Sequence, residues 1–102
     1  MVRSLKIAAT VYQVSEIATG DDFGSCDHRA RRIQIRKSQK KRDKMLTLLH
    51  ESIHAVCEEY GLSQYFRGES EELMVRSLEI GIAMLLVENK AFAKELIKTL
   101  SA

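Results

Sequence analysis

Apolar residues recur in steps of two near the start of the chain and in steps of three and four beyond Met45, so sheet is expected first and helix afterwards. Leu5, Ile7 and Val11, helped by Val2, Tyr12 and Val14, predict a first strand over 4–14. Thr19-Gly20-Asp21-Asp22 and Gly24-Ser25 are turn chemistry, in which glycine supplies positive φ and aspartate bonds its own backbone. Cys26 to Ile35 then reads as a β-hairpin connected by Asp27-His28-Arg29-Ala30. In it Ile33 and Ile35 alternate with Arg32, Gln34 and Arg36, which leaves one basic face in water. Ser38 to Lys44 is too polar to bury and is expected as a loop or as the solvated first turn of a helix.

Leu46, Leu49, Ile53, Val56, Cys57 and Tyr60 then keep helical spacing up to Gly61, which suits a C-terminal cap. Residues 62–69 form a connection. Ser70, followed by Glu71 and Glu72, predicts a helix start in which the hydroxyl caps the free N–H groups and the carboxylates meet the positive end of the dipole. That helix runs over 71–89, and Ala91 to Leu100 either continues it or forms a short terminal one. The class expected is α+β: a small antiparallel sheet or hairpin packed on one central helix, with one or two helices after it.

The chain has 102 residues, 45% hydrophobic, 29% charged and without proline, which fits one small domain over 1–102 and excludes collagen-like and disordered readings. The longest apolar run, Ile80 to Val87, falls far short of the roughly 20 residues of a membrane helix. Met1 to Val14 also lacks the apolar stretch of a signal peptide, and a soluble cytoplasmic protein is expected. Cys26 and Cys57 are too few for a disulfide framework or a paired-cysteine knuckle, and are read as packing residues in a reducing compartment. The net charge of +2 conceals an uneven distribution, since nine of the sixteen basic side chains fall between Arg29 and Lys44. Such a segment suits an acidic partner or nucleic acid, but it equally suits a solvated strand and loop, and no aromatic residue is interleaved to stack on bases.

His50-Glu51-Ser52-Ile53-His54 is an HExxH motif inside the helix expected after Met45. Histidines four apart project from one helical face, so two imidazoles can converge on Zn²⁺ while Glu51 stands beside a coordinated water as general base. Shuffling the three histidines and the glutamates through the chain produces this string in roughly half a percent of sequences, so chance explains it poorly. A zinc that only stabilises the fold would explain the histidines but not Glu51. Catalytic zinc usually takes three protein ligands, and the chain does not continue as HExxHxxGxxH. Glu58 and Glu59 lie awkwardly on the same helix, Cys57 reads as core, and the next helix opens with Glu69, Glu71 and Glu72. By helical phase Glu71 falls in line with Val75, Leu78 and Ile82, the stripe expected to face the core, with Glu72 at its edge.

Gly24-x-Cys-Asp27, Arg32-Ile33-Gln34-Ile35, Thr47 to Ala55 around the motif, Glu71 to Leu78 and Leu85 to Asn89 together resemble the small zincin-like metallopeptidases of bacteriophages and prophages, related in motif to the ImmA/IrrE and minimal gluzincin groups. The resemblance covers about residues 20–90. It implies a β-hairpin or small sheet beside the active helix and zinc held by His50, His54 and a glutamate of the following helix. Glu51 is then the general base, and a phage-encoded protein would act in the host cytoplasm. Matching Val75 and Leu78 to the family pattern favours Glu72, against the phase argument for Glu71. Ser52-Ile53 and Glu79-Ile80-Gly81 depart from that pattern without touching the chemistry. Such a peptidase also needs an edge strand that binds an extended peptide through its backbone. Arg32 to Lys37 is the expected strand, with Arg32, Gln34 and Arg36 against the substrate and a preference for acidic peptides. Tyr12, Tyr60 or Tyr65 would polarise the carbonyl. The alternatives are a zinc-stabilised accessory protein that binds or inhibits a host factor, and a nucleic-acid-binding domain using residues 29–44.

Overall fold

The computed structural model describes residues 1–102. Its elements run β1 (Ser4–Ile7), β2 (Thr10–Ile17), β3 (Gly24–Asp27), β4 (Arg32–Arg36), α1 (Lys41–Glu59), a single 3₁₀ turn (Leu62–Gln64), α2 (Glu69–Glu88) and α3 (Lys90–Leu100). The class is α+β: α1 packs on one face of a four-stranded sheet, α2 lies against α1, and α3 packs on α2. No helix is long and apolar enough to cross a membrane.

The strand expected over 4–14 is two strands. The chain reverses at Ala8 and Ala9, both with positive φ (51° and 64°), and pairs Leu5 with Tyr12 and Ile7 with Thr10. Two consecutive positive φ values belong to a tight hairpin turn that asparagine and glycine normally provide. Alanine carries no such signal, so the turn is not written in the sequence. The second hairpin, β3 with β4, falls where the alternation placed it.

The sheet is mixed rather than antiparallel, in the order β1-β2-β4-β3, because β2 and β4 run parallel. Burial accounts for this order. Ile33 and Ile35 are both 0% exposed, and a strand with neighbours on both sides and a helix on its face is the best covered place in a single sheet. Together with Ile7, Tyr12, Val14, Leu48 and Ala55 they form the core, where each large apolar side chain contributes about 1.5–3 kcal/mol. As a consequence β4 is not an edge strand. Arg32, Gln34 and Arg36 have no free backbone edge to offer a peptide, and the edge on that side of the sheet is β3.

α1 starts at Lys41, so the basic stretch before Met45 is its solvated first turn, with Lys44 paired to Glu16. Its apolar phase also differs from the expected one: Leu48 and Ala55 face the sheet, while Val56 and Tyr60 are exposed. α1 is wedged between two partners and buries two faces, so no single stripe describes it. The helix stops where expected, Gly61 following it in the left-handed conformation with φ 80°. α2 begins earlier than expected. Gly68 occupies the cap position with φ 55°, its carbonyl receives the Glu72 N–H, and Ser70 lies inside the helix without capping it. Asn89 separates α2 from a distinct α3.

Candidate metal centre

α1 presents its sheet-facing side through Leu48, Glu51 and Ala55, and its α2-facing side through His50 and His54. The two rings, one turn apart, have centroids 5.0 Å from each other. α2 runs past them and brings three carboxylates to their side, Glu71 and Glu72 in its first turn and Glu79 two turns on. Glu72 reaches both rings: His50 Nε2 lies 3.0 Å from Glu72 Oε1, and His54 Nε2 lies 2.8 Å from Glu72 Oε2. Ligand atoms of His50, His54 and Glu72 all lie within 4.8 Å of one another. Ligands of a tetrahedral zinc ion stand about 3.4 Å apart, so this donor set fits a small divalent cation.

The remaining ring nitrogens are also engaged. His54 Nδ1–H donates to Glu71 Oε2 at 2.7 Å, and Glu71 Oε1 accepts from the Ser63 hydroxyl of the 3₁₀ turn. His50 Nδ1–H donates to Glu79 Oε1 at 3.2 Å. A carboxylate on Nδ1 fixes the ring and its tautomer and leaves the Nε2 lone pair for a metal. The two candidates for third ligand are therefore placed differently: Glu72 joins both Nε2 atoms, while Glu71 supports His54 from behind. Of the stripe expected to face the core, α2 buries only Val75 and leaves Leu78 exposed, while Glu71, in the same phase, meets His54 at Nδ1. Glu58, Glu59 and Glu69 stand outside the cluster.

Glu51 is 8% exposed, the one buried charged residue of the chain. Burial pushes its carboxyl above the ordinary range against the pull of His50 and His54. At His54 burial opposes the charged ring, but the bonds to Glu71 and Glu72 outweigh it and raise the pKa. Glu72 is likewise opposed by burial, yet the bond with His54 holds it below the usual value. Without an ion, a proton on His54 ties the two carboxylates together; a metal would take its place. Burial and the charge of Glu51 push the Cys26 thiol up to about 12, and burial also raises Cys57, so both cysteines stay protonated and unreactive.

The cluster opens onto a groove of ≈ 1040 Å³ lined mainly by polar and charged residues of α1, α2 and the 36–40 segment, with Asp22 to Gly24 at the start of β3. Arg36 reaches its rim, held by the Asp21 carbonyl at 3.2 Å and stacked on Phe23 at 4.3 Å. Arg32 and Gln34 are not part of it. Of the tyrosines, Tyr12 is buried and donates to Glu59 at 2.8 Å, while Tyr60 and Tyr65 are exposed and none lines the groove.

Two contributors were not read from the sequence. Glu79 follows Glu72 by seven residues and so shares its face, a spacing that marks it as a second carboxylate aimed at the histidines. Gly24 lets β3 pass against α1: a Cβ there would lie 2.6 Å from Thr47 Cγ2 and 3.3 Å from Glu51 Cγ. Nothing local in the sequence announces that approach. Compared with protein-family models, curated proteins and solved structures, the chain matches none of them.

Proposed function

We propose that the chain is a metal-dependent hydrolase of peptide bonds, a minimal zincin-like enzyme in which His50, His54 and Glu72 hold the metal and Glu51 is the general base. The observation that carries this reading is the division of labour on the two rings: both Nε2 atoms face Glu72 while each Nδ1 is taken by a different carboxylate. Two nitrogens and one carboxylate oxygen are the donor set of hydrolytic zinc sites. Zinc bound there supplies Lewis acidity, drawing the pKa of water towards neutrality and polarising a carbonyl.

Glu51 would then accept a proton from water and deliver it to the leaving amine, as its place in the groove beside both histidines allows. The substrate lies extended along β3. Phe23 O receives the Arg36 N–H, which makes Ser25 and Asp27 the residues bonded to β4 and turns the N–H and C=O groups of Gly24 and Cys26 outward. A peptide strand pairing with these groups would run beside Glu51, which packs against Gly24 and borders a small pocket with Cys26. Arg36 and Lys40, not Arg32, are basic side chains at the groove, and they stand among Asp22, Asp43 and Glu79, so the groove gives no charge preference of its own.

Glu51→Gln tests the assignment. Incubation of zinc-loaded protein with a mixed peptide library and analysis by mass spectrometry should show cleavage that falls by about 10²–10⁴-fold in the variant at unchanged zinc stoichiometry. Equal cleavage by both proteins would remove Glu51 from the mechanism. No cleavage by the zinc-loaded wild type across the library would leave the metal with a structural role.

A further inference from the structure

The surface left by α2 and α3 does not belong to a self-sufficient monomer. The chain exposes 7568 Å², whereas a folded monomer of 11.6 kDa exposes about 5,800 Å². The excess of about 1,700 Å² is what one protomer buries in an obligate dimer, whose interfaces total about 2,000–5,000 Å².

Half of the large exposed apolar side chains stand on α2 and α3. On α2, Leu73, Ile80 and Val87 are 66%, 47% and 56% exposed. They are spaced by seven, so they form one stripe, about 100° round the helix from Glu72 and Glu79, with Ser77 and Met84 between them. On α3, Phe92, Leu96, Ile97 and Leu100 share one side, and the last two are 67% and 77% exposed. α3 buries none of its side chains and has α2 as its one packing neighbour of any extent. An isolated helix of its 11 residues is marginal in water, where even alanine-rich helices need about 12–15 residues. The contact with α2 therefore leaves the apolar side of α3 uncovered by its own chain.

We infer that the occupant is a second copy of this chain: α3 of each protomer lies antiparallel along the Leu73–Ile80–Val87 stripe of its partner, forming a two-fold symmetric dimer. The dimensions agree, since the stripe spans about 21 Å and α3 about 16 Å. The charges agree as well. Lys90, Lys94 and Lys98 line one flank of α3, and Glu69 and Glu88, both exposed, stand at the two ends of the stripe. Antiparallel seating sets the Lys90 end of α3 against Glu88 of the second copy and the Lys98 end against its Glu69. A self-complementary pair of this kind closes on itself and leaves no apolar face to propagate. Arg76 and Ile80 border both this stripe and the groove of the metal centre, so the dimer would also build up one wall of that groove. The inference rests on surface and packing alone and stands whether or not metal is bound.

Sedimentation equilibrium of the full chain in chelator tests it, with the Val11→Glu variant on the outer face of the sheet as a control for added charge. The wild type and Val11→Glu should sediment at twice the 11.6 kDa chain mass at micromolar concentration. Leu73→Glu and Ile97→Glu should each weaken dimerisation by at least about 30-fold. Both substituted side chains are exposed, so circular dichroism should show the helices of the core retained. Amide exchange provides a reading without substitutions: α3 amides should be protected at high concentration and lose protection on dilution. A wild type that stays monomeric at high concentration with α3 protected, or a dimer indifferent to both variants, would overturn the inference. So would a monomer that captures anionic lipid vesicles through α3.

Discussion

Gly24→Ala places a single methyl group where β3 crosses α1, and its cost can be worked from the contacts. The new Cβ would lie 2.6 Å from Thr47 Cγ2, 3.1 Å from the Gln34 carbonyl and 3.3 Å from Glu51 Cγ, where ordinary contact begins at 3.4 Å. Thr47 must retreat by about 0.8 Å, yet it is stiff at χ1 and its hydroxyl donates to Gln39 at 2.9 Å. The carbonyl cannot yield because β4 is paired on both sides. Overpacking of this kind costs about 1–3 kcal/mol, offset by about 0.4–1 kcal/mol from the stiffer unfolded chain. A net loss of about 1–2 kcal/mol is expected, read as a lower urea midpoint at constant slope. Thr47→Ser removes the offending methyl and keeps the hydroxyl. The double variant should therefore recover about 1 kcal/mol relative to the sum of the single changes. Additive effects would refute the contact. Because Glu51 is the third atom in the way, Gly24→Ala should also slow any hydrolysis that Glu51→Gln abolishes.

The carboxylates around the histidines should separate by role: Glu71→Gln and Glu79→Gln should weaken zinc binding by about 10–100-fold in competition titrations, and Glu72→Gln should weaken it more than either. A larger loss from Glu71→Gln than from Glu72→Gln would exchange their assignments. In chelator the raised pKa of His54 makes its charged form a source of stability that is complete below the unfolded value of 6.5 and lost as pH rises through the folded value. The melting temperature of the metal-free chain should accordingly fall from slightly acidic to slightly alkaline buffer, while the gain on adding zinc grows over the same range, because ligation requires the neutral ring. A metal-free melting temperature that rises with pH would contradict the geometry at His54. Tyr12→Phe removes the hydroxyl that donates to Glu59 and leaves that carboxylate with Arg31 at 3.2 Å; urea denaturation should show a loss of about 1–2 kcal/mol, and an unchanged midpoint would mean the bond contributes nothing.

What the sequence made legible is local. The paired histidines and Glu51 follow from helical spacing, the stop at Gly61 from glycine's access to positive φ, and the β3–β4 hairpin from alternation around Ile33 and Ile35. What it concealed depends on distant partners. The parallel pairing of β2 with β4 joins segments with β3 between them in the chain, and nothing within Arg32 to Arg36 says that it will be central. The phase of α2 misled because periodicity presumes one buried stripe, whereas α2 meets α1 through Val75 and the glutamates and leaves a second apolar stripe in solvent. Glu71 and Glu72 were hard to separate because both touch His54, on opposite sides of its ring.

Metal content measured by elemental analysis, on protein purified without immobilised metal, tests the central claim most directly. The arrangement of His50, His54 and Glu72 predicts one zinc ion per chain, lost together with binding capacity in His54→Ala. Protein that carries no zinc and takes up none when it is supplied would contradict the metal centre and the hydrolase built upon it.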